Sequence, residues 1–252
     1  MAESNTVLAR RNGWLLFAVG LPGVVAVALL VLPLLLQGRS LPQPLWLIQM
    51  VAAAQSVLLL ALAVFIGCHC APRVGLAAPM FAALLEGGDW RPVWRRQWLP
   101  GVAGGALGAG LLLALPALAP PELLTQAATR EMPALARLLY GGITEELLLR
   151  WGMMSLMVWG LWRVLQRRSS KPHPALFWAA IVLSALLFGL GHLPAAKAML
   201  GLLAPEVIAY VLLGNLVFGL LAGWLFWRHG LEAAMLAHAL AHGLAMLAGT
   251  VH

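Results

Sequence analysis

Long apolar runs constrain this chain more than any other feature. From Trp14 to Gln37, and again from Leu45 to Ala71, the sequence carries no Asp, Glu, Lys or Arg. A helical stretch of about 20 such residues crosses the hydrocarbon core of a bilayer. The runs are continuous and rich in Leu and Ala, without the alternation of barrel strands, so the spans are helices. Composition agrees: 62% of the 252 residues are hydrophobic and 10% are charged, against roughly 25% charged in a soluble domain. A soluble domain of this size could not bury that much apolar surface, and the same balance excludes intrinsic disorder.

The expected fold is therefore an all-α, polytopic transmembrane helical bundle of about seven spans. The spans run about Trp14–Gln37, Leu45–Ala71, Leu99–Leu118, Pro133–Leu165, Pro174–Leu193, Pro205–Trp227 and Leu231–Thr250. The mixed stretch Pro72–Trp98 holds Arg73, Glu86, Asp89, Arg91, Arg95 and Arg96. Its start, Leu76–Leu85, is expected to lie flat in the interface; a further membrane helix there would make eight spans. The apolar run after Arg10 and Arg11 is long and lacks a clean small-residue cleavage pattern, so it reads as an uncleaved first span. Two regions follow: residues 1–132, three spans without motifs, and residues 133–252, four spans that carry the chemistry.

The net charge of +7 resides in basic residues scattered at span ends, not in a nucleic-acid-binding patch. Their distribution sets the orientation. With the N-terminus cytoplasmic, eleven fall on the inner side: Arg10, Arg11, Arg73, Arg91, Arg95, Arg96, Arg163, Arg167, Arg168, Lys171 and Arg228. Four, Arg39, Arg130, Arg137 and Lys197, fall on the other. This predicts N-terminus in and C-terminus out. Trp14, Trp46, Trp98, Trp162, Trp224 and Trp227 fall near span ends, as an aromatic belt does. Gly101, Gly104, Gly105, Gly108 and Gly110, and Gly219 with Gly223, give small-residue spacings that let helices approach closely, within the chain rather than across a dimer. Cys68 and Cys70 flank His69, but no second cysteine pair completes a metal site. They read as two thiols ending a span.

The chemistry lies in ionisable groups inside the spans, each of which costs roughly 2.5–3.5 kcal/mol on insertion scales. The fourth span contains Glu145, Glu146 and Arg150. Glu146 and Arg150 are four apart and pair on one helical face. Glu145, turned away by about 100°, is left free for acid/base work. The fifth span carries Phe188-Gly-Leu-Gly-His192, and the seventh carries His238-Ala-Leu-Ala-His242, two imidazoles one turn apart. A carboxylate and a histidine on one water form a general base, and further imidazoles can stabilise an oxyanion. That combination hydrolyses amides. Ser155 and Ser184 are single span hydroxyls expected to bond backbone carbonyls, so direct attack by water is favoured over a covalent route.

Glu145-Glu146-x-x-x-Arg150, Phe188-x-x-x-His192 and His238-x-x-x-His242, in that order on separate helices, resemble the motifs of the CAAX protease and bacteriocin-processing (CPBP, Abi) family. The resemblance covers about residues 135–250 and implies a glutamic-type intramembrane endopeptidase without a cofactor. It implies that Glu145 and His192 activate the water, that Glu146 and Arg150 support the site, and that His238 and the position of His242 lie near the oxyanion. The substrate implied is a membrane-associated or membrane-anchored protein or peptide: a prenylated CAAX tail, a bacteriocin leader or a C-terminal sorting signal. The family often has Phe before the Arg and Gly after it, where this chain has Leu149 and Trp151. His242 stands where Asn or Asp is usual. Asn215 in the sixth span could supply the missing amide. His-x-x-x-His is also metal-ligand spacing, so zinc-dependent hydrolysis through His192, His238 and His242 stays an alternative. A non-catalytic immunity or binding protein on the same scaffold and a proton-coupled transporter are the others. A short chain rich in Leu, Ala and Arg without eukaryotic loops suggests a bacterial inner membrane.

Overall fold

The computed structural model describes residues 2–127, 132–166, 169–201 and 203–249. Arg130, Arg167 and Arg168 of the charge distribution and Thr250 of the last span lie outside the described residues. Among the described residues the chain is all helix, with no strand.

Among the described residues, six helices are long and apolar enough to cross a membrane: α1 (Arg11–Leu36), α2 (Leu45–Val74), α4 (Arg91–Leu118), α7 (Pro174–Leu200), α8 (Pro205–His229) and α9 (Leu231–Gly249). A seventh, α6 (134–165), is continuous but changes its hydrogen-bond register, with π-helical turns at Arg137–Glu145 and Leu147–Met154. It carries the charged motif and packs against α1, α2, α7, α8 and α9. These make up the seven spans expected. Two helices, α3 (Pro79–Leu85) and α5 (Pro121–Ala127), have seven residues each. At 1.5 Å per residue they are too short to cross, so Pro72–Trp98 contains no eighth span.

Span limits differ from the sequence reading where a helix continues beyond its apolar stretch. Helix α4 begins at Arg91, because Arg91, Arg95 and Arg96 are good helix formers at the rim of the bundle. Helix α7 runs to Leu200 through Pro194.

The core sits around α6. Leu147, Trp151, Met154 and Val158 are buried in one apolar cluster with Leu16, Leu60 and Val64 of α1 and α2 and Ile181, Leu225 and Phe226 of α7 and α8. Many other apolar side chains face outward, among them Leu29, Leu58, Phe65, Leu107 and Leu213, as spans in lipid require. The glycine stripe of α4 is an intramolecular seam. Built Cβ atoms on Gly101, Gly104, Gly105 and Gly108 would meet Leu236, Leu225, Leu240 and Ala241 within 2.5–2.8 Å. Three of those four neighbours lie on α9, so the stripe draws the histidine-bearing helix tightly against α4.

The N-terminus of α9 is stapled from the side. Gly230 turns the chain with φ +102°. The Leu231 N–H then donates to the Ala77 carbonyl at 3.0 Å. Met80 N–H and Phe81 N–H both donate to Glu232 Oε1, at 2.8 and 2.9 Å, and Gln97 Nε2 donates to Oε2 at 3.1 Å. Glu232 thus caps α3 from another helix and ties it to the element that carries His238 and His242.

Candidate active site

The π-helical turns decide how the Glu-Glu pair is displayed. On an ordinary α-helix adjacent side chains diverge by about 100°. An i→i+5 ladder winds more widely and turns the chain less per residue, and such turns recur at functional sites. Here both carboxylates reach the same imidazole. His238 Nδ1 donates to Glu146 Oε1 at 2.8 Å, and His238 Nε2 lies 4.0 Å from Glu145 Oε2. The expected separation of the two glutamates onto different faces is therefore smaller than α-helical geometry gives.

The expected ion pair is present. Arg150 Nε stands 3.3 Å from Glu146 Oε2, and both side chains are essentially inaccessible. This contact is an ion pair without a hydrogen bond, so Glu146 Oε2 and Arg150 Nε and Nη1 have no hydrogen-bond partners. Arg150 is held further by Nη2 to the Gly219 carbonyl at 3.5 Å and by the face of Phe188, 5.5 Å from its Cζ. Gly219 itself packs onto Ala185, which brings its carbonyl within the reach of the guanidinium. Glu146 is fully buried between Arg150 and His238, whereas the Glu145 side chain keeps 15% of its surface. Among the described residues, His238 is the one basic group in ion-pair range of Glu145.

Phe188 links the second motif to the third. Its ring lies 4.5 Å from His192 and 6.4 Å from His238, edge-on to both. His192 Nδ1 donates to the Phe188 carbonyl at 2.9 Å, which leaves Nε2 with a free lone pair. His238 and His242 stack with centroids 5.1 Å apart and 26° between planes. Glu145, Glu146, Arg150, Phe188, His192, His238 and His242 thus form one connected neighbourhood drawn from α6, α7 and α9.

Asn215 is not tied to it by any described contact; its Nδ2 donates to the Val211 carbonyl of its own helix at 2.7 Å. The two serines behave as expected, Ser155 donating to the Arg150 carbonyl and Ser184 to that of Ile181. Cys68 and Cys70 are free thiols. Among the described residues no three His, Cys, Asp or Glu side chains form a group that could hold a metal ion. His238 has its Nδ1 committed to Glu146, which leaves Nε2 as its open ring nitrogen.

Two contacts were not legible in the sequence. The Phe218 ring lies 4.5 Å from His238, with no spacing to announce it. Thr144 Oγ1 donates to the Gly20 carbonyl at 2.8 Å, anchoring α6 to α1 beside the motif. A buried Thr next to two acids is a weak signal that its hydroxyl has a backbone partner.

Residues 131–244 match the family described as type II CAAX prenyl endopeptidase, Rce1-like. The matched residues include all three motifs, which α6, α7 and α9 carry. No curated protein and no solved structure matches the chain. The Rce1-like family is a protease family, so the match supports peptidase activity for the segment, embedded in a membrane-integral bundle.

Proposed function

We propose that this chain is a glutamic-type intramembrane endopeptidase that cleaves a peptide bond near the C-terminus or leader of a membrane-associated protein or peptide. The observation that carries this reading is the unequal state of two adjacent carboxylates. Glu146 is buried and paired with Arg150 and His238, while Glu145 is partly open and has no guanidinium. A paired carboxylate holds a site together; an unpaired one beside it takes protons.

In this mechanism a water donates one hydrogen to the Glu145 carboxylate and the other to His192 Nε2. The proton passes to Glu145 as the water oxygen attacks the scissile carbonyl. Negative charge on the carbonyl oxygen is met by N–H donors from His238 and His242. Glu145 then returns its proton to the amide nitrogen as the C–N bond breaks. With Nδ1–H on Glu146, a hydrogen bond from His238 Nε2 to the carbonyl oxygen requires hydrogen on both ring nitrogens.

We assign the protein to a bacterial inner membrane on its short, Leu-, Ala- and Arg-rich sequence, and place the N-terminus in the cytoplasm and the C-terminus opposite on the distribution of loop arginines. The test uses the purified chain in liposomes with three peptide classes: a prenylated C-terminal tail, a leader peptide and a C-terminal membrane anchor. Cleavage of at least one is expected. Glu145→Gln keeps shape and hydrogen bonding but removes the base, so cleavage falls at least ~10²-fold with normal membrane expression. Near-normal cleavage by that variant would sink the assignment.

A further inference from the structure

Gly141 differs from the other buried glycines of α6 in what surrounds it. A Cβ on Gly142 would meet the backbone of Ala239, and one on Gly152 the backbone of Ala63. These are packing contacts. A Cβ on Gly141 would lie 3.2 Å from His242 Nε2, 3.3 Å from His242 Cδ2 and 3.5 Å from His238 Nε2. Its missing side chain therefore faces the ring edges of two stacked imidazoles. Those are the edges left for chemistry, since His238 Nδ1 is committed to Glu146. Gly141 is also buried, four residues before Glu145 on the same π-helical segment.

His242 is longer than the Asn or Asp that the resembled family carries at this position, and it reaches further toward α6. A residue with a Cβ at 141 would press on it. We propose that Gly141 is a positioning residue matched to His242: its lack of a side chain keeps open the volume in front of both Nε2 atoms, where the scissile carbonyl oxygen is received. The occupant of that volume rests on the endopeptidase reading; the match between positions 141 and 242 does not.

The experiment compares the full-length chain with Gly141→Ala, His242→Asn and the double variant, all in liposomes. One readout needs no substrate: the rate at which diethyl pyrocarbonate modifies His242, followed by mass spectrometry. The exposed loop residue His173 serves as the internal reference. Relative to His173, Gly141→Ala is expected to slow modification of His242 at least ~10-fold, because the methyl group covers its Nε2 edge. Peptide cleavage by Gly141→Ala is expected to fall at least ~10-fold through kcat. Measured against His242→Asn as parent, the same methyl group should lower cleavage less than ~3-fold, because the shorter amide clears it. If Gly141→Ala fails to fold, the matched pair predicts that adding His242→Asn restores folding.

Unchanged modification of His242 in Gly141→Ala overturns the proposal. So does an equal cleavage penalty in both backgrounds, or a folding loss that His242→Asn does not restore. If the modification rates behave as expected while Glu145→Gln cleaves like wild type, the endopeptidase reading fails and the matched pair stands. If Glu145→Gln is inactive and Gly141→Ala is unaffected, the reverse holds.

Discussion

At the scale of single residues, the central fact is that one imidazole is shared by two acids. His238 touches Glu146 at 2.8 Å and Glu145 at 4.0 Å. Removing Arg150 would leave the fully buried Glu146 with His238 as its one charged partner. Loss of one partner from a buried pair costs roughly 3–5 kcal/mol; the lower end is expected here, because His238 still holds one oxygen. Arg150→Ala should therefore lower the thermal unfolding temperature in detergent as well as activity. Glu146→Gln combined with Arg150→Gln should recover part of the loss, and a double variant no more stable than Arg150→Ala would refute the pairing. For His242 the prediction separates hydrogen bonding from metal ligation. His242→Ala should lose on the order of 10²-fold in cleavage, the usual loss for one oxyanion donor, and His242→Asn clearly less. Metal analysis should find well under one zinc per chain, and a strong chelator should not inhibit. Stoichiometric zinc that disappears in His242→Asn, with activity restored by added zinc, would replace the carboxylate mechanism by a metal-assisted one.

At the scale of elements, the position of α9 governs the site, because it brings both third-motif histidines to α6. Two devices hold it: the glycine seam with α4 along its length, and the Glu232 staple at its start. The staple is the more exposed to test. Glu232 is 3% accessible and accepts three hydrogen bonds. Glu232→Leu removes both acceptor oxygens, so the Met80 and Phe81 amides and the Gln97 side chain lose their partner. An unsatisfied buried group costs about 1–3 kcal/mol, and the unfolding temperature should fall accordingly. Helix α3 should detach first, read as faster hydrogen exchange at the Met80 and Phe81 amides with little change in the middle of α6. Equal acceleration throughout the bundle would show that Glu232 acts on global stability and not as a local tie.

At the scale of the whole molecule, the site is not midway along the bundle. His192 lies eight residues before the end of α7, and Glu145 eleven after the start of α6. At 1.5 Å per residue both lie roughly 12–16 Å from the end at which α1 and α9 also finish. In the proposed orientation that end faces away from the cytoplasm. Orientation can be measured with single cysteines in a chain whose Cys68 and Cys70 are replaced. Ser40→Cys, in the exposed loop between α1 and α2, should react with a membrane-impermeant maleimide in intact cells. Asp89→Cys, exposed between α3 and α4, should react only after lysis. The opposite pattern would invert the topology and place the site toward the cytoplasm.

The fold class was determined by the sequence, and the candidate site residues were legible in it, because both rest on local properties. Apolar runs of membrane-spanning length admit only helices in lipid, and ionisable groups inside such runs persist only where they pair or react. The pairing of Glu146 with Arg150 was legible for the same reason, being set by spacing along one helix. Tertiary structure decided everything that joins distant segments. It chose a π-helical ladder over α6, so that Glu145 as well as Glu146 reaches His238. It left Asn215 on its own helix, made Phe188 the bridge between two motifs, and brought Gly141 against His242 across 101 residues of sequence. None of these follows from hydropathy or spacing, because each depends on the rotation and depth of one helix against another, and close packing sets those across the whole bundle.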